Sequence, residues 1–150
     1  MEEAAKGFGP MMKLMFMGMG ALGKAFYKRY GEEALPTIIE VMNQGGVEQG
    51  KLMQQMAPAR SMKAAGESFK MMDSLFEMGT EIVELSDDTL HFKVSHCPLG
   101  IEGTSKELCE ALMTTDKKMM STLLGKEVEM KILKSVAVGD KQCEAIYSVK

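Results

Sequence analysis

The chain has 150 residues, with 18 Lys and Arg against 21 Asp and Glu, and a net charge of −3. This length predicts a single domain over residues 1–150 that can bury a hydrophobic core without disulfide bonds or structural metal ions. The acidic balance argues against a general nucleic-acid binder, and no uncharged apolar run reaches the roughly 18 residues of a transmembrane segment. The acidic start, Met1 to Lys6, is not a secretory signal, so we expect a cytoplasmic protein with reduced thiols.

The first half, residues 1–78, has helical periodicity. Four helices are predicted, over residues 10–30, about 32–43, about 47–56 and about 61–78. The first is apolar almost all round until Lys24, which is typical of a helix that is buried or packs on a second chain. Gly45-Gly46 is expected to stop the second helix, and residues 45–50 to form a mobile loop.

Methionine is unusually frequent, at 17 of 150 residues. Three interpretations stay open: filling of irregular gaps in the core, a flexible apolar ligand pocket or dimer interface, and soft-metal binding. Met15, Met17 and Met19 do not share a helix face, so a methionine metal motif is weak. The apolar helix over residues 10–30 predicts a homodimer formed through that helix.

After Gly79 the hydrophobic period changes from helical to two, which indicates strands. The order strand–strand–helix–strand–strand is expected over residues 79–150, with the inserted helix opened by a capping box of Thr104 and Glu107 and closed by Gly125. Three strands are predicted to have one apolar face each: Leu90, Phe92, Val94 and His96; Val128, Met130, Ile132, Val136 and Val138; Cys143, Ala145, Tyr147 and Val149. The fold class is therefore α+β, with helices packed on a roughly four-stranded antiparallel sheet.

The three cysteines occupy the ends of predicted elements. Cys97 ends a strand, Cys109 lies in the first turns of the inserted helix, and Cys143 begins the last strand. These ends can converge at one edge of the sheet, and three thiolates with His96 would form a tetrahedral zinc site. His91 or Glu144 are alternative fourth ligands.

The spacing of these cysteines lacks a CxxC motif, so other interpretations stay open. Cysteine is a common core residue. A redox thiol pair or an iron–sulfur cluster on three cysteines is also possible chemistry for this set.

Two short segments near the C-terminus, residues 124–128 and 138–143, carry a resemblance to a known family. Leu-Gly-Lys-Glu-Val, followed by Val-Gly-Asp-Lys-Gln-Cys, resembles the end of the 4-vinyl-reductase-type, hydrocarbon-binding domain. The segment from Tyr30 to Ala34, the Cys-Pro at Cys97, the helix cysteine and the Gly-Asp-x-x-Cys ending are similar to the L-2-amino-thiazoline-4-carboxylic acid hydrolase-like family. This second resemblance covers about residues 25–149.

Both families share an architecture with TRAPP-type trafficking subunits, so the resemblance implies an α+β ligand-binding fold. Such domains are often dimeric and have a metal or thiol cluster near the pocket. We expect Asp140, Phe92, Tyr147 and Met113 to line that pocket.

The first functional hypothesis is a binding domain for an apolar, aromatic or tetrapyrrole-like molecule, with zinc at its rim. The alternative is a small hydrolase that opens the ring of an amino-thiazoline carboxylate through a metal-activated water or a cysteine nucleophile. An iron–sulfur or redox-thiol protein is the third hypothesis.

Overall fold

The computed structural model describes residues 2–56 and 59–150, with side chains from Gly7 onward in the first helix. Helices and strands alternate in blocks, and short 3-10 turns lie at Gly31–Ala34 and Val136–Val138. The helices are α1 (Glu2–Tyr30), α2 (Leu35–Met56), α3 (Met62–Phe76) and α4 (Lys106–Leu124). The strands are β1 (Thr80–Leu85), β2 (Thr89–Val94), β3 (Val128–Lys134) and β4 (Cys143–Val149). The predicted α+β fold class is confirmed.

The four strands form one antiparallel sheet in the order β1-β2-β4-β3. Phe92 of β2 pairs with Ala145 of β4, and Leu90 pairs with Tyr147. All four side chains are buried, because alternation along both strands turns the same face toward the helices. The last strand therefore lies in the middle of the sheet, and its apolar face joins the core.

Gly45-Gly46 does not stop α2, which is one continuous helix. A side-chain carbon on Gly46 would lie 2.5 Å from the Thr115 carbonyl oxygen, and one on Gly50 would lie 2.5 Å from Thr122 Cβ. The two glycines thus let α2 pack closely on α4, and this contact overrides their poor helix propensity. The expected mobile loop over residues 45–50 and the separate helix over 47–56 are wrong.

The strand after α4 ends earlier than its apolar pattern predicts. Ser135 opens a 3-10 turn, in which its hydroxyl accepts a hydrogen bond from the Ala137 N–H at 3.2 Å. The Asp140 carboxylate accepts another from the Ser135 N–H at 2.9 Å. Val136 and Val138 therefore lie in a turn and not on the strand face, and Val138 is exposed.

Three element ends also differ from the predictions. The N-cap of α4 is Ser105, whose hydroxyl accepts from the Leu108 N–H at 3.1 Å, while the Thr104 hydroxyl donates to the Ile101 carbonyl. Helix α1 begins at Glu2, so Pro10 lies inside it. Strand β2 ends at Val94, so His96 lies beyond it and is exposed.

A stripe of apolar side chains lies on the outside of α1. Phe8 is 49% exposed, Met15 is 61% exposed and Leu22 is 73% exposed. Their spacing of seven residues places them along one side of the helix. In residues 2–56 and 59–150, no helix has the length and apolar character that a membrane crossing needs. The stripe is an apolar face that this single chain leaves uncovered.

Candidate functional site

The three cysteines lie on three different segments: Cys97 in the β2–α4 loop, Cys109 in α4 and Cys143 at the start of β4. Burial raises the pKa of the Cys109 thiol to about 11; the nearby Ser135 hydroxyl lowers it in part, and the Cys143 and Cys97 thiols raise it further. Burial also raises the pKa of Cys143, whose sulfur accepts a hydrogen bond from the Val136 N–H at 3.4 Å. All three thiols are free. The Cys109 thiol is therefore neutral near pH 7, and the predicted cluster of three cysteines is not supported in the described part of the chain.

The predicted fourth ligands do not join these thiols. His91 Nε2 lies 2.8 Å from Glu144 Oε1, so these two side chains bind each other, and His96 is exposed. Within the described part of the chain, no group of three or more His, Cys, Asp or Glu side chains is placed to hold a metal ion. The structure gives no support to the zinc site on Cys97, Cys109, Cys143 and His96. An iron–sulfur cluster and a tetrapyrrole are untested and stay predictions.

Two of the predicted pocket residues, Phe92 and Tyr147, lie side by side on β2 and β4. Their rings stack with centroids 5.8 Å apart and planes 14° apart. Phe69 of α3 packs on both, at 5.0 Å from Phe92 and 6.3 Å from Tyr147. The three rings form an aromatic centre between α3 and the sheet.

A carboxylic acid that sequence analysis missed touches this aromatic centre. The Tyr147 hydroxyl donates to Asp116 Oδ2 of α4 at 3.5 Å. Burial raises the pKa of Asp116 to about 6, and the Tyr147 hydrogen bond offsets part of that rise. Burial and the nearby carboxylate also raise the pKa of Tyr147. One signal in the sequence could have found this residue: it lies four residues after Leu112 and four before Met120, inside the apolar stripe of α4.

The other two predicted pocket residues, Met113 and Asp140, make no contact with the stacked rings that the structure records; one contacts a cysteine and the other a turn. Met113 is three residues before Asp116 on α4, and its sulfur lies 3.7 Å from Cys109 Sγ, which donates to it. Asp140 is exposed, and its carboxylate fixes the turn at Ser135. Met113 therefore lies one turn from Cys109 on α4, whereas Asp140 acts as a turn residue in this structure.

An apolar groove of about 290 Å³ lies between α1, α2 and α4. Thr37 is its one polar side chain, and Gly23 opens its floor, because a side-chain carbon there would lie 3.2 Å from Leu112 Cδ2. Other lining residues are Met19, Leu22, Phe26, Ile38, Val41 and Met42. The methionine-rich first half of the chain thus contributes to an open apolar surface as well as to the core.

Helices packed on one face of an antiparallel sheet, with α4 inserted between two strand pairs, define an α+β domain also found in two solved structures. One is the phenol-responsive sensory domain of the transcription activator PoxR with phenol: TM-score 0.66 and 16% identity, over 89% of this chain and 74% of that one. The other is a trafficking protein particle complex subunit 3 from Naegleria fowleri covalently bound to palmitic acid: TM-score 0.66 and 15% identity, over 92% and 94%. At these identities the likeness shows the fold.

The family is shown by sequence. The family model of L-2-amino-thiazoline-4-carboxylic acid hydrolase matches residues 11–147, so the chain belongs to this family. The resemblance seen at the Tyr30 segment and the Gly-Asp-x-x-Cys ending is therefore confirmed. No curated protein sequence matches the chain.

Proposed function

We propose that this protein is a small-molecule binding domain that holds an apolar or aromatic molecule in the groove between α1, α2 and α4. The groove carries the proposal, because it is concave, apolar and about 290 Å³ in volume, near the lower end of ordinary ligand sites. The Thr37 hydroxyl can orient a ligand, and the flexible Met19 and Met42 side chains can adapt to its shape. The similar folds that hold phenol and palmitic acid support the same class of ligand.

Methionine methyl NMR with p-cresol as the probe tests this proposal. We expect saturable shifts of the Met19 and Met42 methyl groups, because both line the groove. Met71 of α3 is exposed and does not line it, so its methyl signal is the internal control. Absence of saturable shifts at Met19 and Met42 would contradict the proposal.

A matched pair of variants on α2 locates the site. Val41→Trp fills the groove from a lining position that is 53% exposed, so the change should not disturb folding. Ile39→Trp places the same bulk two residues away, outside the groove lining. Val41→Trp should abolish the p-cresol shifts and Ile39→Trp should keep them. Equal binding by both variants would place the ligand elsewhere.

Family membership favours a second candidate function, hydrolysis of an amino-thiazoline carboxylate. The Cys109 thiol is a poor nucleophile, because burial raises its pKa to about 11. Asp116, with a pKa of about 6, can accept a proton from an attacking water near neutral pH.

Incubation with L-2-amino-thiazoline-4-carboxylic acid, followed by mass spectrometry, tests this second function. A product heavier by one water is expected, and Asp116→Asn should abolish it. Asp140→Asn, the same change at an exposed turn, should leave it unchanged. The absence of a heavier product would exclude this activity.

We also propose that a second copy of this chain covers the outer face of α1. Phe8, Met15 and Leu22 recur every seven residues, and Met11 and Gly18 form a parallel row with the same spacing. Such a stripe is self-complementary across a two-fold axis, as in a coiled-coil seam. Gly18 has open space around it, which allows close approach of a partner helix.

A further inference from the structure

A charged cleft of about 470 Å³ lies between α2, the second half of α4 and the loop from α4 to β3. Its volume is within the ordinary range of ligand sites. Three of the side chains that line it are lysines, namely Lys117, Lys118 and Lys126. The described lining of the apolar groove contains no charged side chain, so the ligand proposed for the groove does not account for this cleft.

Two contacts fix the walls of the cleft. The Ser121 hydroxyl donates to the Lys117 carbonyl at 2.9 Å and accepts from the Val128 N–H at 3.1 Å, so it ties the end of the loop to α4. A side-chain carbon on Gly46 would lie 2.8 Å from Lys118 Cβ, so α2 packs directly against the base of that lysine. The cleft is therefore built from packed elements, and its lysine stems start from fixed backbone positions.

Glu127, the acidic residue of the described lining, already has a cation. The Lys150 ammonium group lies 2.7 Å from the Glu127 carboxylate and 3.4 Å from that of Glu129. In residues 2–56 and 59–150, the three lysines that line the cleft form no ion pair. The cleft thus has three positive charges that no carboxylate in this part of the chain pairs with.

The dipole of α4 does not explain these lysines. A helix dipole favours cations within its last turn, and the last turn of α4 contains no basic residue. Lys117 and Lys118 lie earlier in the helix, and Lys126 follows it. Because like charges repel, three unpaired ammonium groups around one cleft create a positive potential that a bound anion would relieve.

We propose that this cleft binds a soluble small molecule that carries two or more phosphate groups. The ammonium groups of Lys117, Lys118 and Lys126 can donate charge-assisted hydrogen bonds to the phosphate oxygens. The side-chain amide of Asn43, which also lines the cleft, can donate a neutral one. A single phosphate would leave part of the positive charge uncompensated, whereas a diphosphate or triphosphate matches three cations. The concave shape favours a free molecule over a flat membrane surface.

Isothermal titration calorimetry of the full chain with sodium tripolyphosphate tests this site. The titration is done at about 0.15 M ionic strength, where weak attraction between distant surface charges is screened. We expect saturable binding of one tripolyphosphate per chain, with an affinity about tenfold or more above that for orthophosphate. Absence of tripolyphosphate binding, or equal affinity for the two probes, would overturn the proposal.

Matched Lys→Gln variants locate the binding. The double variant of Lys118→Gln and Lys126→Gln removes two exposed cations of the cleft, so it should fold normally and lose about tenfold or more in tripolyphosphate affinity. The double variant of Lys28→Gln and Lys141→Gln removes the same charge at exposed positions outside the lining and should bind as the wild type does. Equal losses in the two variants would show attraction by net charge alone and would overturn the assignment.

Phosphatidylcholine vesicles that contain phosphatidylinositol bisphosphate present similar phosphate groups on a membrane surface. We expect tripolyphosphate to compete away any binding of the protein to these vesicles, because the cleft lysines would bind both. Vesicle binding that persists in saturating tripolyphosphate and is lost in the double variant of Lys118→Gln and Lys126→Gln would assign the lysines to a membrane surface. That result would contradict a soluble ligand.

Discussion

Gly20 of α1 lies directly against the carbonyl oxygen of Leu99, in the loop between β2 and α4. A side-chain carbon at position 20 would overlap the backbone of Leu99. Leu99 packs on the hydrophobic core, so its backbone cannot withdraw without disturbing that packing. The absence of a side chain at one position therefore sets how closely α1 approaches the second half of the chain.

Replacement of this glycine should destabilise the protein. Gly20→Ala should lower the free energy of unfolding by about 1–3 kcal/mol, because the new methyl group forces α1 and the Leu99 loop apart. Gly7→Ala is the control on the same helix: nothing lies near that position and it belongs to neither row of the exposed stripe, so alanine should stabilise the helix by about 0.5–1 kcal/mol. Urea denaturation measures both, and equal midpoints for the two variants would contradict the packing described.

A second glycine pair tests the contact between α2 and α4. Gly46→Ala should lower the unfolding free energy by about 1–3 kcal/mol, because the added carbon meets the Thr115 carbonyl and the Lys118 side chain. Gly45→Ala, one residue earlier, points into open space and should be stabilising. If Gly46→Ala proved as stable as Gly45→Ala in thermal unfolding, the close approach of the two helices would be wrong.

The pH dependence of stability should carry the signature of Asp116. Its pKa is raised from 3.8 to about 6 in the folded protein, so the folded state holds this proton more tightly than the unfolded state. Stability from this group is complete below about pH 3.8 and is lost as the pH rises through about 6. Asp116→Asn removes that loss, and at neutral pH it should be more stable by on the order of 1–2 kcal/mol. Urea unfolding across this pH range is the measurement, and identical pH profiles for variant and wild type would refute it.

The three thiols should react with iodoacetamide in a definite order. Cys97 is half-buried, whereas Cys109 is 4% exposed and burial raises its pKa to about 11. Cys97 should therefore be alkylated in the folded protein, and Cys109 mainly after unfolding. Peptide mass spectrometry over a time course measures both rates. Comparable rates for Cys97 and Cys109 in the folded state would contradict the burial of Cys109.

The proposed dimer can be tested by light scattering after size exclusion. Met15→Glu puts a charge in the exposed stripe of α1 and should convert a dimer to monomer, since burial of an unpaired charge is costly. Met71→Glu makes the same change on α3 at a side chain that is 66% exposed, and it should leave the mass unchanged. A monomeric wild-type protein would contradict the dimer at once.

Local patterns predicted the sheet well, because alternation along a strand directly reports which face is buried. The inward positions of Phe92 and Tyr147 followed from it. The continuity of α2 could not be predicted, because it depends on a contact with α4 that is distant in sequence. Gly46 and Gly50 allow that contact, since a side chain at either position would collide with α4. Helix-breaking propensity is a local property, and here a distant contact overrides it.

The pocket of Phe92, Tyr147, Met113 and Asp140 that the family resemblance implies stays a prediction, whereas alternation along β2 and β4 correctly placed Phe92 and Tyr147 on the buried face. Asp116 was missed, since an acidic residue in a helix is usually solvated and only its contact with Tyr147 shows otherwise. The turn at Ser135 was also missed. Val136 and Val138 alternate like strand residues, but the Ser135 and Asp140 side chains accept hydrogen bonds from the backbone and hold this segment in a turn.

The central position of β4 has a consequence for biosynthesis. Strand β4 lies between β2 and β3, so neither of these strands can pair on that side until residues 143–149 have left the ribosome. Until then the β1–β2 hairpin presents an open, apolar strand edge to other nascent chains. The sheet therefore cannot be completed before residues 143–149 are available, and chaperones that shield strand edges during that interval should increase the yield of folded protein.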